Sequence, residues 1–139
     1  MNLTRYKPNT EEIIYQMIEG EYILLNLSNG NYFSLDNLGV LIWRCVENSI
    51  PQEELFSLLR DQESNNMEAL VNSARGVFEA LVTEGLALPV TDSTGDENRC
   101  MEEFRQMIRD GKVHLKPVTL HAYKNIQEKY AHPCGVKEI

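Results

Sequence analysis

Glu21-Tyr22-Ile23-Leu24-Leu25-Asn26-Leu27-Ser28-Asn29-Gly30-Asn31-Tyr32-Phe33-Ser34-Leu35 contains two β-rich runs around a polar turn. Asn29-Gly30 is a strong short-range hairpin signal, because both residues tolerate positive φ. A further β-rich run, residues 12–18 (EIIYQMI), comes before the first, and Glu19-Gly20 breaks the chain between them. The expectation is a three-stranded antiparallel meander whose third strand is residues 31–35.

Downstream of the meander the apolar period changes from two to about 3.6. Leu38, Leu41, Ile42 and Cys45 recur at helical spacing, and Asp36 stands where a capping side chain is expected. Trp43 lies on this helix and is expected in the core, with a peptide or partner contact as the alternative. Ser49 and Gln52 resemble a capping box, with Pro51 in the first turn and Leu55, Phe56, Leu58 and Leu59 as the apolar face. After a polar break at residues 63–66, with Asn65 and Glu68 as another cap, a third helix is expected over residues 67–84. Its apolar positions Leu70, Val71, Ala74, Val77, Phe78, Leu81 and Val82 cover more than one stripe. Gly85 suits the helix end, and Leu86-Ala87-Leu88 suggest a short terminal strand before Pro89.

Residues 91–98 (TDSTGDEN) read as a linker. The domain boundaries that follow are a core over residues 1–90 and a partly helical C-terminal extension over residues 99–139. In the extension, Met101, Phe104, Met107 and Ile108 suit an amphipathic helix stopped at Gly111. Residues 112–120 read as extended around Pro117, and Leu120, Tyr123, Ile126 and Tyr130 suit one more helical face.

The bulk properties narrow the function. With 42% hydrophobic residues in 139, the chain can bury a core. A formal net charge of −8, with no Lys/Arg cluster, argues against nucleic acid as a partner. There is no apolar run long enough to span a bilayer, and residues 1–10 are polar with no signal-peptide core. Cytoplasmic residence without membrane association is therefore expected. Cys45, Cys100 and Cys134 follow no disulfide framework and read as free thiols in a reducing compartment.

Chemistry-bearing constellations are sparse. The 21 acidic residues fall on helix surfaces and in linkers. His114, His121, His132 and Cys134 match no common metal-ligand spacing, and nothing marks Cys134 as an activated nucleophile. No catalytic residue, metal or cofactor is expected.

Asn31, Tyr32, Phe33, Ser34 and Leu35 are more informative. They form a prospective edge strand with no charge and no proline, and such an edge invites another chain. Strand addition would give affinity through the backbone ladder and selectivity through side-chain pockets, which the second stripe of the third helix could supply. The alternative is that the chain's own tail or a helix covers the edge.

Residues 22–43, with Asp36-Asn37-Leu38-Gly39 followed by Ile42-Trp43, resemble the PqqD-like family. Val77-Phe78-Glu79-Ala80-Leu81-Val82-Thr83-Glu84-Gly85-Leu86 is similar to that family's closing signature. The resemblance covers about residues 10–90. It implies an α+β, winged-helix-like fold, in which a three-stranded antiparallel sheet is followed by three helices. It also implies a RiPP recognition element, which binds the leader of a ribosomally made precursor peptide and presents it to a modifying enzyme. The leader would add to residues 31–35 and rest on the third helix, where Arg75, Phe78, Leu81 and Val82 are the expected contacts.

Glu47-Asn48-Ser49 departs from the Asp-Gly that the family often has there, and the tail from Asp92 lies outside its pattern. That tail carries Leu115-Lys116-Pro117 followed by Leu120, broadly like some leader segments. A tail that guards the edge is one expectation; docking on the enzyme, or packing elsewhere on the helices, are others. A homodimer through the edge strand or the tail is a further expectation, and a winged-helix transcriptional regulator is the alternative function.

Overall fold

The computed structural model of the chain describes residues 4–62, 66–90 and 97–123. Among the described residues it is α+β, with four helices and two antiparallel sheets. The elements are β1 (Arg5–Pro8), β2 (Ile13–Ile18), β3 (Glu21–Asn26), β4 (Tyr32–Leu35), α1 (Leu38–Glu47), α2 (Gln52–Arg60), α3 (Met67–Thr83), β5 (Ala87–Val90), α4 (Glu97–Arg109) and β6 (His121–Tyr123). One sheet pairs β1 with β5. The other has the order β2-β3-β4-β6.

The expected meander is β2–β4, but its turns differ from the expectation. The tight turn is Glu19-Gly20, where both residues have positive φ (49° and 86°) and Ile18 pairs with Glu21. That is the two-residue geometry whose twist matches the flanking strands. Asn29-Gly30 instead sits in a longer loop closed by the Asn26 N–H donating to the Asn31 carbonyl (2.9 Å). Within that loop the Asn26 and Asn29 side chains accept the N–H groups of Ser28 and Asn31, and Gly30 takes the positive φ (77°). Asparagine side chains that mimic backbone turns favour this form over the tighter one.

The first three helices fall where the apolar period put them, but their caps do not. Asn37 is the N-cap residue of α1 and Pro51 that of α2, and neither makes a side-chain cap bond. Ser49 takes positive φ (53°) and its carbonyl accepts Arg5 Nη1 (2.8 Å), so the expected Ser49–Gln52 capping box does not form. The Gln52 N–H donates to the Thr4 carbonyl, and the Thr4 N–H to Glu53 Oε1, so β1's leading edge serves the start of α2. Asn65 lies outside the described residues.

Strand β1 carries no alternating apolar pattern in the sequence. Tyr6 is nevertheless buried, stacked on Phe78 at 5.5 Å between ring centroids, and β1 is held by its ladder to β5. The core is continuous from β1 to the extension. Trp43, Phe33, Phe78 and Phe104 are its largest fully buried side chains, and Met101, Val113 and Val118 join the same cluster. Helix α4 packs against α2, and Arg44 on α1 pairs with Glu103 on α4 at 3.2 Å. The helix begins at Glu97, inside the stretch read as a linker. It ends at Arg109 and is stopped by Gly111 (φ 77°), where the Lys112 N–H returns to the Met107 carbonyl.

The largest departure concerns the sheet. It has four strands rather than three, because residues 121–123 add to β4. Leu120 and Tyr123, expected on a helix, are in extended chain, and Ile126 and Tyr130 lie outside the described residues. No described helix is long and apolar enough to cross a membrane.

Candidate functional site

Strand β4 lies between β3 and β6 and packs against α1. Phe33 and Leu35 point into the core and are fully buried, while Tyr32 is half-exposed on the other face. The strand runs directly into α1, and the approach is close. A Cβ built at Gly39 would stand 2.9 Å from Leu35 Cβ and 3.0 Å from its Cδ2. Only glycine fits there, which gives a packing reason for the glycine three residues after Asp36.

The edge of β4 expected to be open is covered by the chain's own tail. The antiparallel register is Tyr32 with Tyr123, Phe33 with Ala122 and Ser34 with His121. Directly opposed residues share a face, so Ala122 sides with the buried Phe33, and Tyr123 stacks on Tyr32 at 4.8 Å and 15°. Two side chains of the core hold the approach to this strand. Asn37 Oδ1 accepts the His114 N–H (3.1 Å), and Ser73 Oγ accepts the Val118 N–H (3.1 Å) while donating to the Leu70 carbonyl (3.0 Å). Asn37, at the start of α1, thus serves the tail rather than its own helix.

A shallow groove of about 380 Å³ lies between α3 and the tail. Its helix wall is Ser73, Gly76, Val77, Ala80 and Glu84, and its other wall is Val118, Thr119, Leu120 and Ala122. Val118 is buried and Leu120 half-buried against the core. A second cleft of about 310 Å³, between Asp36-Asn37 and residues 116–119 with His121, flanks the tail on its other side.

The helix stripe that meets the tail is not the one the sequence suggested. Phe78 and Leu81 are buried in the core; Phe78 packs on Tyr6 and Phe56, and Val82 is partly buried against the same cluster. The Arg75 guanidinium lies 5.0 Å from the Phe56 ring centroid, and its Nη1 donates to Asn72. It faces α2 rather than the groove, and does not act as a free cation on a reading helix. The signal that marks the groove face is the small residues Ser73, Gly76 and Ala80 at helical spacing, which allow a close approach by an extended chain.

At the opposite side of the sheet, β2 has no outer strand among the described residues. It exposes Ile14 (56%), Met17 (37%) and Ile18 (46%). Behind it, Tyr15, Tyr22 and Trp43 form an aromatic cluster, and the Tyr22 hydroxyl donates to Glu47 Oε1 (2.9 Å). Burial, reinforced by the Glu47 carboxylate, pushes the Tyr15 hydroxyl up to about 12 and also raises that of Tyr22. These groups stay protonated at neutral pH and fix packing. Among the described residues no group of three or more His, Cys, Asp or Glu side chains is arranged to hold a metal ion. His132 and Cys134 lie outside the described residues.

Comparison with protein-family models, with curated proteins and with solved structures gave no match.

Proposed function

We propose that the chain is a non-catalytic peptide-binding adaptor with a winged-helix-like core, a RiPP recognition element of the PqqD-like kind. It takes the leader of a precursor peptide as an added strand on β4 and presents it to a peptide-modifying enzyme. One observation carries this reading. The chain's own residues 121–123 are an added strand on β4, and the residues before them lie along α3. The groove therefore has the geometry of strand addition, with a backbone ladder on one side and side-chain pockets on the other. The order β2-β3-β4-α1-α2-α3 fits the family resemblance, and the close contact of Gly39 with Leu35 gives its glycine a role.

The test is selection of 12-residue peptides from a random displayed library against the intact chain. Isotope-edited amide shifts then locate the selected peptides. Shifts at β4 and at Ser73, Gly76 and Ala80, with the tail's own amides displaced, are the expected result. A library that yields no binder, or binders mapping to the outer edge of β2, refutes the proposal.

A further inference from the structure

We propose that residues 118–123 are a resident pseudo-ligand of the β4/α3 groove, one that underfills it. The peptide that displaces them would be extended and antiparallel to β4. It would have apolar side chains at the positions of Val118 and Leu120, a bulkier apolar residue in place of Ala122, and an aromatic in place of Tyr123. This inference rests on the strand-addition reading and names the chemistry of its ligand.

The tail shows the pattern the groove accepts. Val118, Leu120 and Ala122 alternate, as one face of a strand must, and all three line the groove against α3. Thr119 also touches the groove, and His121 and Ala122 are both exposed, so burial is deepest at Val118 and Leu120. At the far end Tyr123 stacks on Tyr32, and at the near end Ser73 catches the Val118 amide. The devices of a bound peptide are a ladder at residues 121–123, apolar contacts at Val118 and Leu120, an aromatic anchor at Tyr123 and a side-chain acceptor for the Val118 amide.

The fit is incomplete at one place. Gly76 and Ala80 on the helix wall and Ala122 on the tail are the smallest lining residues, and the groove between the walls stays open. A Cβ added at Gly76 would meet no atom within 4 Å. Ala122 lines the same groove and is itself exposed, so a larger side chain at that position has open groove to enter and apolar surface to bury. The tail holds the edge closed against indiscriminate pairing, yet a peptide with a bulkier residue at that position gains contacts the tail lacks.

The probes are three fluorescein-labelled peptides: residues 112–123 of the chain, the same peptide with Val118→Asp, and the same with Ala122→Leu. Each is titrated by anisotropy against the intact chain and against a full-length Val118→Asp variant, whose tail is released. The parent peptide should bind the released chain at least ten-fold more tightly than the intact one. The peptide carrying Val118→Asp should bind neither. At about 0.8 kcal/mol per buried CH₂, the Ala122→Leu peptide should gain on the order of ten-fold or more over the parent. Equal binding by all three peptides, or no binding to a released chain with native circular dichroism and Trp43 emission, overturns the inference.

Should the Val118→Asp chain fail to fold, amide exchange in the intact chain decides. Ala122→Leu should slow exchange of the β6 amides several-fold, and unchanged or faster exchange refutes the underfilled groove. Library peptides that map to β4 without the apolar, apolar, bulky, aromatic order leave strand addition standing and overturn this inference alone.

Discussion

Phe104→Ala tests whether the C-terminal extension is an appendage or part of the core. Phe104 lies outside residues 1–90, in a segment expected to stand apart from them, yet its side chain is fully buried within the same cluster as Trp43 and Phe78. Deleting a buried phenyl ring costs about 3–5 kcal/mol, through lost transfer energy and the cavity left behind. Against a total stability of about 5–15 kcal/mol this is a large fraction. It corresponds to a fall in Tm of roughly 10–20 °C for a domain of this size.

Urea unfolding followed by Trp43 emission is the assay, since the chain has one tryptophan and it is fully buried on α1. Glu102→Ala is the control. Its carboxylate is mostly exposed and pairs with Arg105 within the same helix, so a change within about 0.5 kcal/mol is expected. A Phe104→Ala cost below about 1 kcal/mol, equal to the control, would mean that α4 only rests on the surface. The same reasoning warns against truncation after residue 90. That cut removes Met101, Phe104, Val113 and Val118 from the core along with the strand that covers β4.

Gly39→Ala should destabilise by about 1–2 kcal/mol despite alanine's helical preference, because the new methyl meets Leu35 Cβ near the backbone and pushes β4 outward. Loss of the Tyr32–Tyr123 stack, followed by ring-current shifts, should accompany it, and an unchanged midpoint would remove the packing reason for this glycine. For Tyr15 and Tyr22 the folded hydroxyls titrate above their unfolded value of about 10, Tyr15 at about 12. Between those values the unfolded chain has released protons that the folded chain retains, so stability present below pH 10 is lost as pH rises towards 12. Glu47→Gln keeps an acceptor and removes the charge, so this alkaline limb should become shallower in denaturation series; an unchanged limb would leave burial as the sole cause.

Much of the architecture was legible because it rests on local pattern. The three meander strands, the first three helices and the stop at Gly111 follow from apolar period and from glycine. The misreadings arose where contacts outside the apolar pattern, some local and some long-range, decided between local options. Asn29-Gly30 had the composition of a tight turn, but Asn26 and Asn29 side chains closed a longer loop, while Glu19-Gly20 took the two-residue form. Asn37 could cap α1, yet its side chain accepts from His114, 77 residues away. Strand β1 has no pattern of its own and exists because β5 pairs with it. On α3, aromatic and basic residues suggested a binding face, but Phe78 and Leu81 were needed by the core and Arg75 by Phe56. The face that lines the groove beside the tail carries Ser73, Gly76 and Ala80, whose mark is the lack of bulk.

A covered edge and a binding edge are compatible if the cover is held weakly, and the magnitudes favour that. Burying Val118 and part of Leu120 stabilises the tail by about 3–4 kcal/mol. The ladder over three residue pairs, with the Val118–Ser73 bond, adds about 3–5 kcal/mol, and the Tyr32–Tyr123 stack about 1 kcal/mol. Ordering residues 118–123 costs on the order of 6–12 kcal/mol in backbone freedom. Gain and cost cancel to within a few kcal/mol, so closure depends on the tether that α4 provides. A tethered strand competes at an effective concentration up to about millimolar. On the proposed reading it would exclude peptides that pair with β4 no better than the tail does. A peptide that also fills the space above Gly76 starts with an advantage, and each ~1.4 kcal/mol it gains there lowers by ten-fold the concentration at which it displaces the tail.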